Sequence, residues 1–300
     1  MCEDSVSTAP NLCPKKMEIL SSDPIALALA EDVGSGDVTS RFFVPSNLQA
    51  FGRIVARERA LVAGTTTAAE VFRRVDPALH VEIKQPDGAQ LTGNETILEV
   101  RGAARSILTA ERVALNFLQR LSGVATLTRQ FVEGIGAKSK AQILDTRKTT
   151  PGLRALEKAA VLAGGGVNHR FGLYDMVLVK DNHLLASSGF SALAAAIQQA
   201  RRERPDVRVE VEADRLEQVR TFLEIEGIDI ILLDNMNPAE MREAVALGKK
   251  KGVKFEASGG VTLKNIRQIA ASGVDYVSVG ALTHSAPAID LSLELTHVAS

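Results

Sequence analysis

The stretch QILDTRKTTPGLRALEKAAVLAGGGVNHRFGLYDMVLVKDNHL, residues 142–184, decides the fold. A short apolar run before Asp145 and another ending at Lys180 each read as a buried parallel strand, and LRALEKAAVLA between them reads as a helix. The same alternation repeats downstream. VRVEVE, DIILLD, KFEAS and YVSVG are strands, separated by the helices FSALAAAIQQARR, RLEQVRTFLEIEG, PAEMREAVALGKKKG and LKNIRQIAASG. Six strands alternating with helices predict a parallel sheet with outer helices. No GxGxxG follows the first strand, so an α/β barrel, closed or open, suits the pattern better than a dinucleotide-binding sheet.

Within 142–184, Arg147, Lys148, Arg154, His169, Arg170 and Lys180 fall in loops or at strand ends. Arginine binds a carboxylate or phosphate through two parallel hydrogen bonds, and lysine adds a compact charge. Any one of these could be a solvated charge beside the helix. The set is different, because Gly164, Gly165 and Gly166 lead directly into Asn168, His169 and Arg170 and let the backbone turn there.

The other strand ends extend the site. Glu212 ends the third strand, Asp234 and Asn235 the fourth, Ser258, Gly259 and Gly260 the fifth, and Gly280 and Ala281 the sixth. All would share one rim, where barrels carry their active sites and where glycine-rich loops offer N–H groups to phosphate. Glu210 and Glu212 alternate with valines and so share a strand face. Buried there, they need cations, sugar hydroxyls or Mg²⁺; a structural ion pair with Lys148 or Lys180 is the alternative.

Upstream the pattern changes. QAFGRIVARE, HVEIKQ and ETILEVRG read as antiparallel strands of an α+β unit, with helix TTAAEVFRRV among them. IALALAEDV reads as a short helix, followed by a turn holding Asp32, Asp37 and Thr39 that suits an Asx-type turn better than a ligand loop. SILTAERVALNFLQRLSGVATLTRQFVEGI places Ala110, Val113, Ala114, Phe117, Leu118 and Leu121 on one helical face and bridges the two units. Arg112 and Asn116 project together from that helix. For Arg112 a surface pair with Glu111 and a functional role stand level.

The chain therefore divides into a disordered tail (1–16), an N-terminal domain with the linker helix (17–126), a barrel (127–284) and a C-terminal segment that can return to the first domain (285–300). Both cysteines, Cys2 and Cys13, lie in the polar tail, which lacks a signal-peptide core. With 45% hydrophobic residues and net charge −1, nothing points to a nucleic-acid or membrane partner, and no apolar run of membrane-spanning length exists. A cytoplasmic location is expected. Any attraction for anions must be local.

DTRKTTPGLRALEKAAVLAGGGVNHRFGLYDMVLVKDNH, ILLDNMNP, EASGGV and YVSVGALTHSAPAIDLSLEL resemble quinolinate phosphoribosyltransferase, the decarboxylating nicotinate-nucleotide pyrophosphorylase of NAD synthesis. The likeness runs from about Ile25 to Leu295. It implies an N-terminal α/β sandwich, a C-terminal open-faced α/β barrel and a homodimer with shared active sites, with a hexamer as a further option. By the same matching, Arg112 comes from the partner subunit to the quinolinate carboxylate, and Arg147, His169 and Arg170 hold quinolinate with Lys148 beside it. Lys180, Glu212 and Asp234 face phosphoribosyl pyrophosphate, and Ser258, Gly259, Gly260, Gly280 and Ala281 take its 5-phosphate. The resemblance likewise implies catalytic roles for Lys148, Glu212 and Asp234. Mg²⁺ enters with the substrate, with Glu212 and Asp234 as candidate protein ligands. Two other readings are a phosphoribosyltransferase for a different carboxylated base and a non-catalytic barrel that binds a phosphorylated metabolite.

Overall fold

The computed structural model describes residues 23–186 and 189–297; the tail with Cys2 and Cys13 lies outside them. The chain opens with α1 (Pro24–Val33), where Asp23 caps the free N–H groups of Ile25 and Ala26 and Pro24 occupies a position that needs no donor. The following turn is shorter than its sequence suggested, because α2 (Val38–Phe43) forms within it. Asp37 is its N-cap, accepting from the Ser40 N–H at 2.9 Å and from Thr109 Oγ1 at 3.2 Å, so this acid closes a helix end rather than a ligand loop.

Next come β1 (Gln49–Ala56), β2 (Ala60–Leu61), α3 (Thr65–Val75), β3 (His80–Ile83), β4 (Gln90–Leu91), β5 (Thr96–Ala103) and the long α4 (Ala104–Gly134). The second half runs β6 (Gln142–Leu144), α5 (Arg154–Ala163), β7 (Val177–Val179), α6 (Asp181–Ala186), α7 (Phe190–Glu203), β8 (Val209–Ala213) and α8 (Leu216–Phe222). It continues with β9 (Ile230–Asp234), α9 (Pro238–Gly248), β10 (Lys254–Ser258), α10 (Ile266–Ala270), β11 (Tyr276–Ser278), α11 (Ala281–His284) and β12 (Leu291–His297). β12 leaves the barrel and pairs antiparallel with β1, giving a four-stranded sheet in the order β12-β1-β5-β3.

The six parallel strands lie in the order β6-β11-β10-β9-β8-β7. Each strand from β7 to β11 lies beside its successor and β6 lies beside β11, so the order is circular. A doubly wound sheet would reverse direction at a switch point. β6 and β7 form the two edges of an open seam, and a single parallel bridge from Leu144 to Val167 covers part of the β6 edge.

Residue parity explains both the apolar strands and the polar interior. Odd-numbered Ile143, Val209, Val211, Ile231, Leu233, Phe255, Ala257 and Val277 pack outward in the core shared with the helices. Even-numbered neighbours therefore point to the barrel axis. Among them are Lys180, Glu210, Glu212, Asp234, Glu256 and Ser258.

α4 joins the two cores. Ile107, Ala110, Val113, Ala114, Phe117 and Leu118 belong to the core beneath the antiparallel sheet, whereas Leu121, Val124, Ala125 and Phe131 belong to the barrel core. Between them Arg120 pairs with the fully buried Glu157 and donates to the Ala286 carbonyl at 3.1 Å. Gly123 lets the departing chain cross: a Cβ there would meet the Pro287 carbonyl oxygen at 2.0 Å, backbone that cannot swing away. Gly123→Ala is expected to cost about 3 kcal/mol of stability by overpacking, read as a lowered thermal midpoint. No helix among the described residues is long and apolar enough to cross a membrane.

Candidate active site

The strand ends surround a cavity of about 550 Å³, lined by Thr146, Arg147, Lys148, His169, Arg170, Lys180, Glu212, Asp234, Asn235, Ser258, Gly259 and Gly260 among others. Gly280 stands next to it, since a Cβ on Gly280 would lie 3.1 Å from both Lys148 Cδ and His284 Nε2, and Ala281 follows at the start of α11. Arg112 is not among the lining residues and lies exposed on α4. A second cavity of about 410 Å³, between α1, α4 and Pro151–Leu153, is rimmed by Asp23, Glu31 and Asp32. Arg120, the cation in its lining, is already paired with Glu157, so the acids leave it unsuited to an anionic ligand.

The cationic side of the pocket is built on the loop after β6 and the loop before β7. Thr283 Oγ1 donates to the Lys148 carbonyl at 2.8 Å, which ties this loop to α11. Burial, and then the neighbouring Arg147 charge, lower the Arg170 guanidinium from its ordinary range. The two arginines thus share a corner in which an anion would be welcome. Arg154 is different. It donates to Thr149 Oγ1 at 3.0 Å and to the Phe171 carbonyl at 3.0 Å, so this cation of the predicted set supports the pocket wall instead of lining it. The glycine run is needed for close approach: a Cβ on Gly164 would lie 2.5 Å from Thr128 Cβ on α4, and one on Gly166 would lie 2.8 Å from Val161 Cγ1.

His169 stands in the floor. Its Nε2 lies 3.1 Å from Glu210 and 3.4 Å from Glu256, and its Nδ1 accepts the Arg170 N–H at 2.7 Å. Glu210 and Glu256 are 0% and 1% exposed, and none of their carboxylate oxygens has a well-aligned hydrogen-bond partner among the described residues. Burial and the adjacent Glu256 raise Glu210 to about 7. Burial opposes charge on the imidazole, but the two carboxylates outweigh it and raise His169 as well. These three residues are the group of three His, Cys, Asp or Glu side chains, among those described, close enough to share a metal ion. Nε2 faces the two carboxylates, and they favour a proton on it. A proton held there suits this cluster better than a metal ion.

A folded-state value near 7 for Glu210, above its ordinary 4.5, means the folded state holds the extra proton between those limits and loses stability as pH rises through 7. Glu210→Gln removes that loss. Its thermal midpoint relative to the wild type should rise between pH 5 and pH 8, by on the order of 2 kcal/mol in stability.

Glu212 occupies the level above. It is at the rim, where Lys180 Nζ reaches it at 2.6 Å, one pleat closer to solvent than Glu210. Asp234 follows on β9, and Asn235 Nδ2 donates to it at 2.7 Å. Asn235 itself takes a left-handed backbone (φ 55°), as do Gly259 (φ 88°) and Gly260 (φ 58°). A Cβ on Gly259 would sit 2.1 Å from Asn235 Oδ1, and the space beside Gly260 is open. Mg²⁺ favours one or two carboxylates together with substrate phosphates, and Glu212 and Asp234 on adjacent strand ends fit that donor set. Glu256, Ser278 and Thr146 also line the pocket and were not foreseen. The parity of KFEAS with Ser258 is the signal that could have found Glu256.

Residues 37–122 match the family model for the quinolinate phosphoribosyl transferase N-terminal domain, and residues 124–294 match that for the C-terminal domain. The chain belongs to the quinolinate phosphoribosyltransferase family. A relative within this family, quinolinate phosphoribosyltransferase [decarboxylating] 2, mitochondrial, of Nicotiana glauca, is 42% identical over 285 residues, covering 90% of this chain and 80% of its own. The probable nicotinate-nucleotide pyrophosphorylase [carboxylating] of Bacillus subtilis is 41% identical over 267 residues, covering 89% and 90%. Among solved structures, NadC from Streptococcus pyogenes superposes with a TM-score of 0.85 at 40% identity, covering 92% of this chain and 96% of that one. The two-domain architecture of the family, antiparallel α/β sandwich followed by open parallel barrel, is the one described above.

Proposed function

We propose that this pocket transfers the phosphoribosyl group of phosphoribosyl pyrophosphate to quinolinate, releasing pyrophosphate and CO₂ and leaving nicotinate mononucleotide, a step of NAD biosynthesis. The observation that carries the reading is the division of the rim: Arg147, Lys148 and Arg170 at one side, and Glu212 and Asp234 with a glycine-rich loop at the other. A phosphate binder alone has no use for the two carboxylates. Quinolinate brings two carboxylates to the arginine corner. The 5-phosphate meets backbone N–H groups of Ser258–Gly260, with Gly280 and Ala281 at the adjoining turn.

Held in this way, the pyridine nitrogen faces the anomeric carbon, and positioning replaces most of the entropic barrier. As the bond to pyrophosphate lengthens, positive charge develops on the sugar, and Glu212 and Asp234 oppose it from the rim. Lys180 and Lys148 neutralise the departing oxygens. Mg²⁺, held by Glu212 and Asp234 through the substrate, would supply further charge to the pyrophosphate. Once the ring nitrogen is quaternary, it draws the electron pair released when the bond from C2 to its carboxylate breaks. CO₂ departs, and C2 takes up a proton.

We further propose that two chains share each site. Arg112 is exposed and absent from its own pocket, while Phe43 (83% exposed) on α2 and Leu173 (73% exposed) in the loop before β7 offer apolar surface for a neighbour. Incubation with quinolinate, phosphoribosyl pyrophosphate and Mg²⁺ should release CO₂ and nicotinate mononucleotide in equal amounts. Quinolinate nucleotide without CO₂ would mean transfer without decarboxylation, and neither product would leave a binding protein.

A further inference from the structure

Two polar side chains on one face of α5 take no part in that reaction, yet they hold both segments that carry the arginine corner. Lys158 is 2% exposed; its Nζ reaches the fully buried Asp145 carboxylate and donates to the His169 carbonyl at 3.0 Å. Asp145 in turn accepts the His169 N–H at 2.9 Å, and the Asn168 amide, oriented to satisfy its neighbours, donates to its other oxygen at 2.6 Å. One turn earlier on the same helix face, Arg154 donates to the carbonyls of Arg147 at 3.4 Å and Phe171 at 3.0 Å. Each of the two cations on α5 therefore bridges residues 145–149 to residues 169–171.

Such a bridge is needed because of what it holds. Arg147 and Arg170 carry like charges in one corner, and neither has a carboxylate within ion-pair distance among the described residues. Repulsion would widen the corner in the empty protein. A fully buried ion pair gains little net stability over apolar residues of the same size, but it fixes two chains in one geometry.

We propose that the Asp145–Lys158 pair, seconded by Arg154, sets the separation of Arg147 and Arg170 and thereby selects a base with two adjacent carboxylates over one with a single carboxylate. Asp145, Lys158 and Arg154 are positioning residues, acting through the arginines. The proposal rests on the reading of this pocket as a quinolinate site.

The test compares quinolinate with nicotinate, the same ring with one carboxylate, by calorimetry on the full chain and on the paired variant Asp145→Asn with Lys158→Met. Removing both charges together avoids stranding one of them, so the variant should unfold within a few degrees of the wild type. Its quinolinate Kd should rise by about tenfold or more, because a small misplacement of binding groups is costly. Its nicotinate Kd and its KM for phosphoribosyl pyrophosphate should change by less than about twofold on the same argument. A folded variant with unchanged quinolinate affinity, or one that loses all three ligands alike, overturns the proposal. If the paired variant does not fold, Arg154→Gln leaves the buried pair intact and should show the same selective loss, smaller in size; its absence there overturns the proposal equally. No quinolinate binding by the wild type would overturn the functional reading itself, and this proposal with it.

Discussion

Arg112→Ala is expected to lower turnover by about 100-fold, the cost of leaving a bound carboxylate without its charged partner. Mixing it with a chain whose own barrel is inactive, such as Lys148→Ala, should restore part of the activity. The reason lies in the placement of the two residues. Arg112 projects from the exposed face of α4, while Lys148 lines the cavity after β6. If each site takes its barrel from one chain and Arg112 from the other, a mixed dimer combines both lesions in one site and leaves the second intact. Random pairing gives half of the dimers that composition, so about a quarter of the wild-type sites are rebuilt. Activity that stays at the sum of the two separate variants would mean that Arg112 acts within its own chain or not at all.

Asp234→Ala should reduce kcat by about 10² to 10³ while leaving the quinolinate Kd within about threefold, the pattern of a group that acts on charge developing in the transition state. Asp234 is at the end of β9, with Asn235 donating to its carboxylate at 2.7 Å. The arginine corner lies on other segments, so loss of the aspartate leaves the carboxylate-binding groups where they are. Stopped-assay kinetics paired with equilibrium binding of quinolinate separates the two quantities. Equal losses in both would remove Asp234 from its assigned role.

Strands such as DIILLD are legible because their apolar runs are continuous and short, β8 and β10 because their apolar residues alternate with polar ones, and α4 because every residue assigned to its inner face, from Ala110 to Leu121, is buried. Other features depended on distance information that one chain of letters does not hold. α2 is not legible in the sequence because VTSRFF has no amphipathic period: Val38, Phe42 and Phe43 all face outward, and only Asp37 marks the helix start. Glu210 and Glu212 were rightly placed on one face, but their depth in the barrel depends on register with Leu178 and Leu232 on neighbouring strands. Arg147 and Arg154 look alike in sequence. α5 turns the second toward Thr149 and Phe171, and only packing distinguishes a ligand group from a support. His169 is a similar case, since its two ring nitrogens find protein partners that lie near residues 170, 210 and 256.

The open seam between β6 and β7 separates two tasks. Residues 145–176 bridge it outside the six-stranded ladder, apart from the contact made by Val167, and they carry Arg147, His169 and Arg170. Lys180, Glu212, Asp234 and Ser258 instead occur at or beside the ends of ladder strands. Under the proposed function, the arginines for the base and the carboxylates for the sugar phosphate thus belong to different parts of the chain, and Lys148 is the group that crosses the division. Under that reading, changes at Arg147 or Arg170 alter the choice of base while the strand ends assigned to the ribose stay in place.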